Sequence, residues 1–419
     1  MKRNYLIVTL ILLTFFVVSF LTNILGALNP NISASYTLTE TMAGFLPFAF
    51  FIAYGVMSIP SGLLVEKLGE KAMMIIAFIT AFSGSLLFAL VPTFGVFVAS
   101  LFTIGAGMAA LQVVINPLLR VSGGEENFAF NSVMAQLIFG LASFISPLMY
   151  TYLVININQG ATEKPFIGLM SQLVSTDMSW VSVYWVFALI SLLMVALIFF
   201  IRFPKVELKE DEKVGSRDSY LELFKNKYVI LYFLGIFCYV GSEQGISYWM
   251  SKFLSVYHGF DPDTSGASAV SYYWGLMTIG GVFGLLFMKL FDSKLVLRWF
   301  TILTIICVFF GLFGSPEISI WAFPISGFFM SVMYPSIVSL GLNSVSEHHG
   351  SFAGILMTGI AGGAIVQILI GGLSDLFSLK LGMTFVFITL GYVLSISFWA
   401  KPIIANKTIN SLKDLFKGE

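Results

Sequence analysis

The sequence predicts an all-α membrane protein with twelve transmembrane helices in two pseudo-symmetric six-helix bundles. Three observations carry this expectation. Of the 419 residues, 58% are hydrophobic and 11% charged, against roughly 25% charged in a soluble domain, and the mean hydropathy is +0.92; a soluble enzyme is excluded. The apolar residues fall into twelve runs, each near the ~20 residues a helix needs to cross a ~30 Å hydrocarbon core. The basic residues lie almost wholly on one side of those runs.

The runs cover residues 5 to 29, 41 to 64, 72 to 91, 94 to 118, 128 to 152, 180 to 201, 228 to 251, 265 to 288, 297 to 314, 318 to 342, 351 to 373 and 381 to 403. Helices are required, because lipid offers backbone groups no outside partner and the runs are far longer than barrel strands. The first run follows Lys2 and Arg3 but lacks a small-residue cleavage site, so it reads as a retained helix and not as a signal peptide. With both chain ends in the cytoplasm, all but three of the 22 Lys and Arg residues lie inside, and Lys164, Lys252 and Lys380 lie outside. That asymmetry follows the positive-inside rule and predicts a multi-pass protein of the inner (cytoplasmic) membrane.

A charge-dense stretch around Lys209-Glu210-Asp211-Glu212-Lys213 divides the chain into a first bundle at 1–202, a cytoplasmic linker at 203–227 and a second bundle at 228–419. Asn116-Pro117 in the fourth run and Tyr334-Pro335 in the tenth form a weak echo of one half in the other. The segment from 156 to 179 reads as the longest outer loop, polar and without assigned chemistry.

Basic and acidic residues balance at 22 each, which leaves no net charge to hold nucleic acid. Cys238 and Cys307 lie in apolar runs and the chain has three histidines, too few for a disulfide framework or a resident metal site. His258, His348 and His349 fall in or beside loops, away from any nucleophile, so neither an enzyme nor a cofactor is expected. The expected partners are the lipid bilayer and a small solute, handled by a monomer.

A polar group in hydrocarbon costs a few kcal/mol unless it is paired or faces a cavity, so intramembrane polar residues are functional candidates. Glu243 is the one acid well inside a run, within Tyr239-Val240-Gly241-Ser242-Glu243-Gln244. With no Lys or Arg at mid-span it reads as a ligand for substrate or cation; the alternative is a protonated acid hydrogen-bonded between helices. Gln112 and Asn116 share a face at i, i+4, and Gln136 lies at similar depth in the next run. Each amide offers donor and acceptor together, as sugar hydroxyls require, although polar glue between helices is the plainer role. Asn23 shares a stripe with Ser19, Gly26 and Pro30. Trp274 and Tyr334, like Tyr273 and Trp249, sit near polar residues where a flat ring can stack on a pyranose, with core packing as the alternative.

Between the second and third runs stands Gly62-Leu63-Leu64-Val65-Glu66-Lys67-Leu68-Gly69-Glu70-Lys71. A tight glycine turn with both charge signs can latch helix ends in one conformation and release them in another, which makes Gly62, Glu66, Lys67 and Gly69 gating candidates. The segment resembles the Gly-x-x-x-Asp-Arg-x-Gly-Arg-Arg signature of the major facilitator superfamily, with Glu66 for the Asp and Lys67 for the Arg. This implies two six-helix bundles about a central cavity. A closer resemblance, over nearly the whole chain, is to the fucose/glucose/galactose porters of the fucose-proton symporter family. It rests on Leu111-Gln112 followed by Asn116-Pro117, on Tyr239 to Glu243, on Met333-Tyr334-Pro335-Ser336-Ile337, and on Gly350-Ser351 with Gly362-Gly363-Ala364-Ile365.

Proton-coupled fucose porters carry an Asp in helix 1 and a Glu in helix 4; the matching positions hold Gly26 and Gln112. This departure moves the expected substrate from fucose towards glucose, galactose, mannose or a related amino sugar. The family's helix 8 Gly-Arg is met by Gly280-Gly281 and its helix 11 proline by Gln367, so an altered cavity lining is expected. The expected function is import of a monosaccharide by alternating access, coupled to sodium or a proton. Gln112, Asn116, Gln136, Glu243, Gln244, Trp274, Tyr334 and Asn23 are the expected substrate ligands, with Glu243 also the coupling acid. An uncoupled facilitator and a drug or metabolite exporter are the alternatives, the latter disfavoured by the several glutamines.

Overall fold

The computed structural model describes residues 4–124, 128–203, 222–345 and 349–403, whose regular structure is helical throughout. Among them, twelve helices are long and apolar enough to cross a membrane. They are α1 (Tyr5–Ser35), α2 (Glu40–Val65), α3 (Glu70–Leu90), α4 (Phe94–Gly123), α5 (Phe130–Asn158), α6 (Thr176–Phe200), α7 (Lys227–His258), α8 (Pro262–Leu290), α9 (Ser293–Phe313), α10 (Pro316–Leu342), α11 (Ser351–Leu376) and α12 (Leu379–Trp399). The chain is therefore a multi-pass membrane protein of two six-helix bundles. The side carrying the start of α1 and the end of α12 is the near face, and the opposite side is the far face.

Number and order of the helices match the expected runs; their ends do not. α7 continues past residue 251 through Lys252 to His258 and stops at Gly259, whose φ of 70° is left-handed. The hydropathy of a single run drops at Lys252, but a charge that is paired does not end a helix. α1 extends to Ser35 and is broken at Asn23–Ile24. The stretch between α5 and α6, expected as a loop, holds a helix at Pro165–Leu173, and α6 begins with a 3-10 segment at Thr176–Val181. α4 runs unbroken through Pro117, whereas α10 breaks at Ser331–Val332. Pro335 lacks the N–H that the Ser331 carbonyl would accept, which accounts for that break. Residues 204–221 of the expected linker lie outside the described residues; Asn226 accepts from the Tyr228 N–H at 3.0 Å and caps α7.

Within the first half, α4 packs on α2, α3 and α1, and α1 on α5. Within the second, α7 packs on α11 and α12, and α10 on α8 and α9. Across the halves α2 meets α11, α5 meets α8 and α1 meets α7. Small residues allow the closest approaches, since van der Waals packing drives helix association in lipid. A Cβ on Gly26 of α1 would overlap the Ser247 carbonyl of α7, and one on Gly362 of α11 would overlap the Phe237 carbonyl.

Polar contacts join the halves on the far face. Lys252 Nζ of α7 pairs with Glu40 Oε2 of α2 at 2.7 Å, donates to Ser33 Oγ at 3.1 Å and stands 5.9 Å from the Trp249 ring centroid. Asp375, at the end of α11, accepts from the backbone N–H groups of Glu40 and Thr41 at 2.7 and 2.8 Å and from Thr41 Oγ1 at 2.5 Å. A carboxylate of one half thus caps a helix N-terminus of the other. Asp263, at the start of α8, accepts from Asn31 Nδ2 at 2.7 Å and Tyr150 Oη at 2.5 Å. Tyr248 Oη donates to the Ala43 carbonyl at 2.6 Å, and Asn29 Nδ2 to the Tyr248 carbonyl at 3.1 Å. The far face is closed by these contacts.

Candidate functional site

α7 is a single 32-residue helix with no proline, so Glu243 is carried on an unbroken rod near mid-span. Its neighbour one turn earlier, Tyr239, donates from Oη to Glu243 Oε1 at 2.5 Å, while Gln244 Nε2 reaches Oε2 only at 3.5 Å. Tyr273 of α8 donates towards the Glu243 carbonyl at 3.3 Å and the Met330 sulfur at 3.1 Å. Tyr334 of α10 packs its ring 5.9 Å from that of Tyr239, and its hydroxyl points to the Met357 sulfur of α11 at 3.1 Å. Glu243 is half-buried within this set. The carboxylate thus has one short hydrogen bond, from its own helix, while α8 reaches the Glu243 backbone carbonyl and α10 packs on Tyr239.

Trp274 follows Tyr273 on α8, the two rings 5.3 Å apart. It is 4% exposed, and its Nε1 is buried without a hydrogen-bond partner among the described residues. One turn on, Thr278 donates to the Trp274 carbonyl at 2.9 Å and sits where a Cβ on Gly140 of α5 would lie. Gln136 is one turn before Gly140 on the same helix, so it belongs to the α5 face turned to α8. Gln136 is exposed and its amide has no hydrogen-bond partner among the described residues. α5 and α8 run antiparallel, with Thr151 on Asp263, Phe144 on Ser271 and Gly140 on Thr278, so Gln136 lies a turn to the near-face side of the Gly140–Thr278 contact and Trp274 a turn to its far-face side.

Gln112 and Asn116 lie on α4. Asn116 Nδ2 reaches only the Gln112 carbonyl at 3.5 Å, and the Gln112 amide has no described partner. Asn23 differs. It is 6% exposed, sits at the break in α1 and donates to Ser143 Oγ of α5 at 2.8 Å, beside a Ser19–Ser143 hydroxyl pair at 2.5 Å. Its amide nitrogen joins α1 to α5. Gln244 is buried at the α7–α11 contact, where its Cγ would lie 3.3 Å from a Cβ on Gly363. Gln367 accepts from Trp249 Nε1 at 2.9 Å and donates to the Gly241 carbonyl at 3.4 Å. Gly280 lies against the Phe328 carbonyl of α10, a packing contact.

The gating segment is less of a loop than expected. The helix of α2 continues to Leu68, so Gly62 is helical, and the turn is Gly69 alone, with φ of 80° and its N–H donating to the Val65 carbonyl at 2.8 Å. A lone glycine suffices because it reaches the left-handed region without a Cβ clash. Lys67 is exposed in the last turn; the Glu66 side chain lies outside the described residues. The charge that makes a contact is Lys71, whose Nζ donates to the Phe199 and Ile201 carbonyls at 2.8 Å each and closes the C-terminus of α6. Sequence reasoning also passed over Lys252, Asp263 and Asp375, which span the halves; the signal for Lys252 was its helical spacing from Trp249 at the end of an apolar run.

A model of the Major Facilitator Superfamily matches residues 11–366. The chain belongs to the Major Facilitator Superfamily. It is a membrane transporter of that superfamily and not an enzyme. The glucose/galactose transporter of Brucella abortus biovar 1 (strain 9-941) is 28% identical over 402 residues, spanning 94% of this chain and 93% of that protein. The L-fucose-proton symporter of Escherichia coli (strain K12) is 27% identical over 392 residues, spanning 89% and 88%. Among solved structures, the transporter FucP in its outward conformation matches with a TM-score of 0.67 at 24% identity, covering 94% of this chain and 98% of that one. A bacterial homolog of the human lysosomal transporter Spinster, inward-facing and unoccupied, matches with a TM-score of 0.78 at 13% identity, covering 94% and 96%. These structures share the fold of the superfamily.

Proposed function

We propose that this transporter imports a monosaccharide, such as glucose, galactose, mannose or a related amino sugar, by alternating access coupled to a cation. The observation that carries the reading is a half-buried acid, Glu243, whose second oxygen has only a 3.5 Å neighbour and whose backbone carbonyl meets Tyr273, next in sequence to Trp274 with its unpartnered indole N–H; Gln136 of α5 adds an amide without a partner among the described residues. Gln112 and Asn116 of α4 add further amides, and Tyr334 a ring for a sugar face. The relatives named for glucose, galactose and fucose transport support a sugar substrate.

Cation coupling follows from charge. A neutral sugar gains nothing from a membrane potential by itself, whereas one charge moving through 100 mV carries about 2.3 kcal/mol, enough for roughly fiftyfold accumulation. Among the described residues no three His, Cys, Asp or Glu converge, so the cation meets one acid and neutral oxygens, a donor set that suits sodium ahead of a proton. The first bundle at 1–202 and the second at 228–419 rock about this site, joined by the 203–227 linker. The lysine-rich near face, with both termini, is the cytoplasmic side of the inner membrane, and the working unit is a monomer.

Purified protein in proteoliposomes, given labelled hexoses and amino sugars with sodium and pH gradients imposed separately, tests the reading. Accumulation of at least one hexose under a sodium gradient supports it; downhill equilibration alone points to a facilitator, and no hexose transport at all removes the sugar assignment.

A further inference from the structure

We infer that Tyr239 is the positioning residue for cation coupling: its hydroxyl holds one oxygen of Glu243 and leaves the other as the single acidic ligand for the cation. This rests on the function proposed above. The Tyr239 Oη to Glu243 Oε1 distance of 2.5 Å lies in the range of an O–H donor to a carboxylate. An ionised carboxylate only accepts, so the proton of this bond comes from the tyrosine. The other groups about Glu243 are engaged elsewhere. Tyr273 reaches the Glu243 carbonyl and the Met330 sulfur and Tyr334 the Met357 sulfur, while Lys252, about two and a half turns further along α7, is paired with Glu40. Gln244 stands at 3.5 Å from Oε2.

Two consequences make this more than a packing contact. Tyr239 and Glu243 are one turn apart on an unbroken helix, so their bond travels with α7 while contacts between the halves form and break. A hydroxyl also supports the negative charge without cancelling it, whereas a lysine in its place would compete with the incoming cation. The Tyr334 ring, 5.9 Å from that of Tyr239, helps hold the phenol in line.

Thermal unfolding of the purified full chain, titrated with sodium chloride against choline chloride at constant ionic strength, reads cation binding directly. Tyr239→Phe keeps the ring and its packing. The sodium concentration for half-maximal stabilisation is expected to rise about tenfold or more in Tyr239→Phe, to stay at the wild-type value in Tyr334→Phe and to have no measurable midpoint in Glu243→Gln. Sugar counterflow by Tyr239→Phe, at saturating sugar, stays within about twofold of wild type, the scatter expected for a ring-preserving change. A wild-type sodium titration in Tyr239→Phe, with the response lost in Glu243→Gln, overturns the role of Tyr239 alone. A Tyr239→Phe protein that loses counterflow and sodium-free stability together also overturns it, as a structural residue would behave so. A normal response in Glu243→Gln, or none in the wild type, removes the cation reading itself.

Discussion

Lys252 of α7 and Glu40 of α2 meet across the two halves at 2.7 Å, with side chains 10% and 24% exposed. The bond closes the far face together with Asp375, which caps the N-terminus of the same α2. Breaking one partner of a buried pair leaves the other charge uncompensated, a cost of several kcal/mol in a dry site and less where water reaches it. Opening the far face lets both charges hydrate, so the cost falls on the closed state.

Lys252→Ala is therefore expected to shift the protein towards a far-face-open state by about 1 to 3 kcal/mol, and Asp375→Ala in the same direction by about 1 kcal/mol for the lost cap. Spin labels at Met42 and Leu376, both exposed at the far ends of α2 and α11, with Cys238 and Cys307 replaced by serine, report the change as a longer interlabel distance by electron resonance. Unchanged distance distributions in Lys252→Ala mean that the ion pair is incidental to closure.

Gly26 offers an independent route to the same state. Any Cβ there overlaps the Ser247 carbonyl when the far face is closed. Gly26→Ala is expected to insert normally, to lose sugar transport by more than tenfold (about 1.4 kcal/mol or more of bias) and to show only the longer Met42–Leu376 distance. Wild-type transport by Gly26→Ala would show that α1 and α7 tolerate a wider crossing.

The three amides separate into two kinds. Gln112→Ala and Gln136→Ala remove groups with no protein partner among the described residues, and each is expected to weaken sugar binding by about 1 to 3 kcal/mol, tenfold to a hundredfold, at unchanged thermal stability. Asn23→Ala severs the bond to Ser143 and is expected to lower stability instead. Equilibrium binding and unfolding on the same preparations distinguish them; wild-type affinity in both glutamine variants reduces those residues to polar glue.

Trp274→Phe sharpens the same logic. Deleting a buried donor that has no partner leaves no polar group unsatisfied, so any loss of stability is confined to the packing of the smaller ring, while a sugar hydroxyl loses its donor and affinity falls about tenfold. Unchanged affinity in Trp274→Phe assigns Trp274 to packing alone.

Hydropathy and charge asymmetry made the twelve helices legible because lipid leaves few other ways to satisfy a backbone. Glu243 was legible for a similar reason, as an acid in an apolar run needs an explanation. Lys252 was not: at the end of such a run a lysine reads as a loop residue, and only the approach of Glu40, 212 positions away in sequence, makes it part of the helix and of the closure. Asn23 and Gln367 looked like Gln136, since a one-dimensional pattern cannot say whether an amide already has a partner. Asn23 is bound to Ser143 and Gln367 to Trp249, and Gln136 is bound to neither kind of neighbour. Gly69 alone makes the turn that the glycine-bounded segment suggested would begin at Gly62, because helical continuation through Leu68 satisfies more backbone groups.

The coupling role of Glu243 is tested most directly by measuring sugar counterflow and sodium-gradient-driven uptake in the same vesicles for wild type and Glu243→Gln. The amide keeps the shape and an acceptor for Tyr239 but removes the charge, so counterflow should persist while accumulation, roughly fiftyfold at 100 mV for one charge, falls to equilibration. Wild-type accumulation by Glu243→Gln would contradict the coupling role, and equal loss of counterflow would make Glu243 a sugar ligand only.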